Sequence, residues 1–260
     1  IVPVADDPFF LGWWTDNELR WANEKNHILD TYLKLPATAL GRIKAEDFLI
    51  QEYGSPALPA DENKLQDARD GFLEIAVRHY ARITASVIKK YDKNHLIFGS
   101  RLFFTPFAWK NTMPERMGGF EAVARGAKGY WDVISINNYF DETPLERTRK
   151  LYNAFQGPIL ISEFNIKSAN KDQWRAGEAD WDKRARISVA GYKEQIPLLF
   201  AEPYIIGYHW FPYRNGRFPR DNNSRPGLVS YKGELREILA SAFQELNPRV
   251  EEIHRSGNAN

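Results

Sequence analysis

Short apolar runs rich in β-branched and aromatic residues alternate along this chain with longer stretches of helical periodicity, and that alternation restricts the fold more than any other feature. The runs FFLGWW (9–14), HLIFGS (95–100), WDVISIN (131–137), PILISEF (158–164) and YIIGYHWF (204–211) have the character of buried strands. Helical spacing marks DARDGFLEIAVRHYARITASVIKKY (67–91), FEAVARGAK (120–128), PLERTRKLYNAF (144–155), WDKRARISVAGYKEQIPLLF (181–200) and KGELREILASAFQELN (232–247). Strand and helix in turn predict an α/β fold with a parallel sheet. Residues 22–64 break the pattern: helical patches interrupted at Pro36, Gly54, Pro56 and Pro59 read as an excursion on the loop after the first strand. Residues 1–250 read as one domain, and the polar tail 251–260 as a frayed end.

Composition narrows the partners. A net charge of +1 supplies no global field toward nucleic acid or an anionic membrane, so a neutral partner is expected. The chain has no cysteine, which removes disulfides, thiolate metal sites and cysteine nucleophiles together and leaves the compartment open. No run approaches the roughly 20 apolar residues that span a bilayer. The histidines His27, His79, His95, His209 and His254 have no metal-ligand spacing, so no metal or other cofactor is expected.

Chemically capable residues gather at the C-terminal ends of the strands. The first run leads to Asp16, Asn17 and Glu18, the second to Ser100 and Arg101, the third to Asn137, Asn138 and Tyr139, the fourth to Glu163, and the fifth to His209 and Trp210. In a barrel or open α/β sheet that rim binds ligands, while the opposite rim serves stability. Two carboxylates on one rim suit glycoside hydrolysis, where one carboxylic acid protonates the leaving oxygen and the other carboxylate attacks the anomeric carbon or activates water. Trp13, Trp14, Trp109 and Trp210 suit the apolar faces of sugar rings.

Each of these residues also has a purely structural reading. Asp16 or Asn17 caps a helix starting near Glu18 as readily as it serves chemistry. Glu163 is harder to assign to structure, because burying an unpaired carboxylate in ILISEF costs several kcal/mol. Arg101 is either its counter-ion or a substrate contact. The tryptophans Trp13, Trp14 and Trp210 divide between core and platform, and His209 alternates with Trp210 on its strand. GRFPRDNNSRPG (216–227) is a solvent loop or a wall of the site. KSANKDQWRAGEADWDKR (167–184) is a solvated loop that Trp174 and Trp181 either pack down or equip for sugar.

Taken in order, DPFFLGWWTDNELRW, HLIFGSRLF, DVISINNYF, PILISEF and GYHWFPYRNGRFPRDNNSRPGLVS resemble clan-A retaining glycoside hydrolases, and within them the agarase and β-galactosidase-like branch. The resemblance implies a (β/α)8 TIM-barrel type of fold, of which the portion from strand 4 to strand 8 is evident in this chain. It implies Glu18 as acid/base, Asn17 as partner of the sugar 2-hydroxyl and Glu163 as nucleophile. It further implies that Tyr139 orients Glu163, that Trp210 stacks on the attacked sugar and that Arg101 hydrogen-bonds near the nucleophile. Trp14 and Asn138 complete the expected substrate-binding set. Strands 1 to 3 are then expected from a preceding segment or another chain. A β-linked galactose-type polysaccharide or oligosaccharide is the implied substrate, which favours a secreted or periplasmic protein. The alternative is a carbohydrate-binding or assembly protein that kept the platform of a partial barrel without turnover.

Overall fold

The computed structural model describes residues 2–19, 21, 27–103, 119–139, 145–166, 181–215 and 227–257. Its strands are β1 (Gly12–Asn17), β2 (Leu96–Phe103), β3 (Ile134–Asn138), β4 (Ile159–Phe164) and β5 (Ile205–Trp210). Its helices are α1 (Ile28–Leu33), α2 (Leu40–Tyr53), α3 (Glu62–Tyr91), α4 (Phe120–Ala127), α5 (Leu145–Phe155), α6 (Trp181–Phe200), α7 (Glu237–Leu246) and α8 (Val250–Gly257). Residues 1–250, read above as one domain, gather into two compact units. One holds β1, most of β2 and α1 to α4; the other holds the end of β2 with β3, β4, β5 and α6 to α8.

In the first unit β1 runs parallel to β2, with Gly12 opposite Leu96 and Asn17 opposite Arg101. Gly12 is required there, since a Cβ would come within 2.3 Å of the Leu96 carbonyl oxygen. The crossover is α3. Asp61 caps it by accepting the Lys64 N–H at 2.9 Å, and Lys89 and Lys90 in its last turn complement the helix dipole. Its buried face includes Phe72, Val77, Ala81 and Ile88. The excursion has a core of its own: Leu29, Ala45, Leu49, Ala68 and Phe72 bury one another between α1, α2 and the first turns of α3. Arg69 and Asp30 join these pieces through paired bonds of 2.9 and 2.7 Å, and α2 stops at Gly54 with φ 72°.

In the second unit the strand order runs from the end of β2 through β3 and β4 to β5, with β2 parallel to β3 and β4 parallel to β5. Every residue of β3 and β4 is buried, as expected of parallel strands covered on both faces.

Three details depart from the sequence reading. β1 extends through Asp16 and Asn17, and Glu18 and Leu19 after it are not helical, so neither residue caps a helix at Glu18. The last long helix starts at Glu237, because Ser230 Oγ accepts the Lys232 and Glu234 N–H groups at 3.2 and 3.1 Å and forms a turn with Gly233 at φ 91°. The tail expected to fray from Glu251 is helical to Gly257, held where the His254 ring N–H meets the Phe200 carbonyl at 3.1 Å; residues 258–260 lie outside the described residues.

Among the described residues, one side of the first unit is left open. β1 stands at the end of the strand order, and Phe9 and Leu11 beside it are 96% and 63% exposed. α4 packs on the flank of α3 that carries Glu74 and Arg78. At 100° per residue Ile83, Val87 and Tyr91 fall toward the other flank, where all three are exposed. No helix among the described residues is long and apolar enough to cross a membrane.

At the opposite end of β2 from Arg101, a polar cluster ties the chain start to the sheet. Asp92, buried, accepts the Trp13 indole N–H at 2.7 Å, the His95 Nδ1–H at 2.8 Å and the backbone N–H groups of Asn94 and His95 at 3.1 Å. His95 Nε2 meets the Asp7 carbonyl at 2.9 Å. Both ring nitrogens face acceptors, an arrangement that favours the doubly protonated imidazolium. Its hydrogen bond to Asp92 raises the His95 pKa, although burial opposes this. Burial alone would raise the Asp92 pKa, but the hydrogen bonds from Trp13 and His95 outweigh it and hold the carboxyl far below its usual range. A raised histidine stabilises the fold fully below its unfolded pKa of about 6.5, and that contribution is lost as pH rises through the folded value; the depressed Asp92 contribution is lost only as pH falls toward its folded value. The urea midpoint of the wild type is therefore expected to fall between pH 6 and pH 9. His95→Gln should start lower and flatten that decline; an unchanged decline in the variant would remove His95 as its cause.

Candidate active site

The first carboxylate stands on a bent corner. β1 carries Asp16 and Asn17 in register with Ser100 and Arg101, after bulges around Trp14. The chain then turns through Glu18 at φ 55°, a left-handed conformation that costs a residue with a Cβ about 1–2 kcal/mol. The Glu18 N–H donates to the Arg101 carbonyl at 2.9 Å, which fixes the corner on β2. Trp14 is 38% exposed and stacks on Phe98 at 5.0 Å, with the Arg101 guanidinium 5.8 Å from the Trp14 ring. Trp13 belongs to the Asp92 cluster and is structural. Trp109 and Trp174 lie outside the described residues, as does most of GRFPRDNNSRPG.

The second carboxylate is buried at the end of β4. Glu163 is 8% exposed, and the Tyr139 phenol, itself buried, donates to its Oε2. Beneath it Ser162 Oγ donates to Asn137 Oδ1 at 2.9 Å and lies 3.2 Å from the Ile136 carbonyl. Asn138 is fully buried, and neither its carboxamide nitrogen nor its oxygen has a hydrogen-bond partner among the described residues. Leaving such atoms unpaired costs about 1–3 kcal/mol each.

Trp210 ends β5 and Phe211 follows it directly. Trp210 packs against Phe164 at 6.0 Å, Tyr192 at 6.1 Å and Phe243 at 5.1 Å, in an aromatic cluster with α6 and α7, while His209 is exposed. The ring beside Tyr139 is Phe211, at 6.3 Å and 39% exposed. Asn165 Nδ2 donates to the Phe211 carbonyl at 2.7 Å and holds it there. Tyr208 and Trp210 both pack against Tyr192 of α6, so alternation along the chain turns His209 and Phe211 the other way. Among the described residues, no group of three or more histidines and carboxylates is placed to hold a metal ion.

No family model matches the sequence. The chain is 26% identical over 280 aligned positions to beta-agarase B of Vibrio sp. (strain JT0107), which covers 94% of this chain and 28% of that protein. Three solved structures share the fold over 94% of this chain: BpGH50 (TM-score 0.73, 20% identity, 50% of that chain), an exo-beta-agarase (0.71, 21%, 36%) and the agarase AgWH50C (0.68, 21%, 36%). The chain thus spans from just over a quarter to half the length of these relatives.

The bond from Tyr139 to Glu163 involves a buried charge, and such bonds contribute about 1.5–3 kcal/mol. Tyr139→Phe is expected to lower stability by roughly 2 kcal/mol in urea denaturation. A loss below about 0.5 kcal/mol would mean that Glu163 draws little from the phenol.

Proposed function

We propose, starting from a chain that is agarase-like in sequence and fold, that it is a retaining glycoside hydrolase acting on a β-linked galactose-type polysaccharide or oligosaccharide. The observation that carries this reading is the buried Glu163 at the end of a fully buried parallel strand, with a buried phenol donating to its carboxylate. A core has no use for such a costly group, whereas a nucleophile needs its charge kept and its lone pairs aimed.

In this reading Glu163 attacks the anomeric carbon as Glu18 gives its proton to the departing glycosidic oxygen. The C–O bond breaks and a glycosyl ester of Glu163 forms. Glu18, now ionised, takes a proton from water, whose oxygen attacks the anomeric carbon and releases Glu163; the sugar keeps its configuration after two inversions. The two carboxyl groups of a retaining enzyme stand about 5–5.5 Å apart, against roughly 6.5–9.5 Å for an inverting one. Asn17 meets the 2-hydroxyl, Asn138 offers its unpaired carboxamide to a sugar hydroxyl, and Arg101 and Trp14 form part of the binding surface. Tyr139 aims the nucleophile. Phe211 takes the stacking role first expected of Trp210, on the strength of its exposed ring beside Tyr139. No cofactor takes part.

The two carboxylates should fail differently. Glu163→Ala is expected to abolish hydrolysis, with azide yielding a glycosyl azide of inverted anomeric configuration. Glu18→Ala should spare aryl β-galactosides with good leaving groups and, with azide, give the retained product. Assays on agarose, porphyran, carrageenan and aryl β-galactosides choose the sugar. Equal loss on every substrate, with no rescue, would overturn the assignment; binding of these glycans by a wild type that cleaves none would make it a carbohydrate-binding protein.

We also assign the open side of the first unit to further β/α units, from a preceding segment or another chain, that complete a (β/α)8 barrel. An unpaired strand edge next to exposed Phe9, Leu11, Ile83, Val87 and Tyr91 is adhesive in water. The 260-residue chain by itself is expected to self-associate in light scattering, and Ile83→Glu with Val87→Glu to shift it toward monomer. A monodisperse monomer that this pair leaves unchanged would count against the assignment.

A further inference from the structure

We infer that Tyr80 of α3 is a positioning residue for the corner that carries Asn17 and Glu18, an inference that rests on reading Glu18 as the acid/base. Glu18 sits at φ 55°, and a strained backbone persists only where its surroundings over-determine it. The Glu18 N–H bond to the Arg101 carbonyl fixes one point of the corner. Tyr80 supplies contacts on both sides of it.

Before the corner, the Tyr80 hydroxyl bonds both the Asp16 carboxylate and Thr15 Oγ1, the latter at 2.8 Å. A phenol has one proton, and a carboxylate can only accept it, so Tyr80 donates to Asp16 and accepts from the Thr15 hydroxyl. After the corner, the Trp21 ring meets the Tyr80 ring edge-on at 5.1 Å. Burial, and then the bond to Asp16, push the phenol far above its ordinary pKa, so it stays a donor wherever a glycosidase would work.

Tyr80 is itself backed. The Trp131 ring lies edge-on to it at 6.5 Å, and Trp131 lies across Gly99, where a Cβ would come within 2.1 Å of the indole. Gly99, at φ 65°, therefore lets Trp131 reach the position from which it supports Tyr80. The chain of contacts runs from β2 through Trp131 and Tyr80 to both sides of Asn17 and Glu18. A general acid must meet the leaving oxygen within hydrogen-bond reach, and a displacement near 1 Å can cost about 100-fold.

Tyr80→Phe tests this in the full chain, since it keeps the ring contacts with Trp21 and Trp131 and removes only the hydroxyl. Two measurements are made. Amide hydrogen exchange over residues 12–19 is expected to quicken by about tenfold or more while the central turns of α3 stay protected. In kcat/KM across aryl β-galactosides, poor leaving groups should lose about 10- to 100-fold, while dinitrophenyl substrates stay within about twofold, because only the former need a well-placed acid. Asp16→Ala, which removes the acceptor, should reproduce both effects. Unchanged exchange at 12–19 overturns the inference. So does quickened exchange with an equal loss on every leaving group, which would make Tyr80 a purely structural anchor. A wild type that hydrolyses none of these glycosides instead removes the glycosidase reading, a result distinct from either of these.

Discussion

Parallel strands cannot be joined by a tight turn, because the chain must return the length of the strand before it can pair again. The returns from β1 to β2, from β2 to β3 and from β4 to β5 each contain a helix, and the two strands of each of these pairs run the same way. The residues on which the proposed chemistry rests, Glu18 after β1, Tyr139 after β3 and Glu163 near the end of β4, each stand at the exit end of their own strand. The pairing rule alone sends chemically active side chains to strand ends and leaves strand interiors free to be apolar. β4 illustrates the division: Ile159 to Ile161 are core, while Ser162 and Glu163 belong to a buried polar group.

Most of this was legible in the sequence because strand and helix differ in the period at which apolar residues recur. The five strands, the helices between them and the residues at their exits could be read off before any geometry was available. What escaped were features set by backbone irregularity or by partners distant in the chain. The sequence reading chose Trp210 for the site, and only ring contacts distant in the chain, Trp210 with Tyr192 and Phe243, and Phe211 with Tyr139, show which ring lies beside Tyr139. Tyr80 lies mid-helix, 65 residues from Thr15, and nothing local marks it. Trp131 was read as the start of a strand, yet its ring matters through a glycine on a different strand. The tail was misjudged because its polar composition suggested solvent, whereas His254 uses its polarity to satisfy a helix-end carbonyl.

The two halves of the proposed chemistry are held in different ways. Glu163 is fixed by burial: a closed environment leaves it few conformations, and the Tyr139 phenol lowers the cost of its charge. Glu18 is only half-buried and is fixed through its backbone, by a hydrogen bond to β2 at a strained corner. The difference suits the roles assigned to them. A nucleophile must stay charged and aimed, whereas an acid/base must exchange its proton with leaving group and water in turn and gains from access to solvent.

α3 has 30 residues and is about 45 Å long, while the strand before it has six. A crossover needs no such length. The first turns of α3 project to meet α1 and α2, and Leu29, Ala45, Leu49, Ala68 and Phe72 close a core there that uses no strand residue. Substitutions among those five are judged by one another's volume and not by the fit of the sheet. In an evolving lineage this appendage can drift, lengthen or be exchanged as a unit, with the ion pair of Arg69 and Asp30 as its seam, while the strands beneath keep their register.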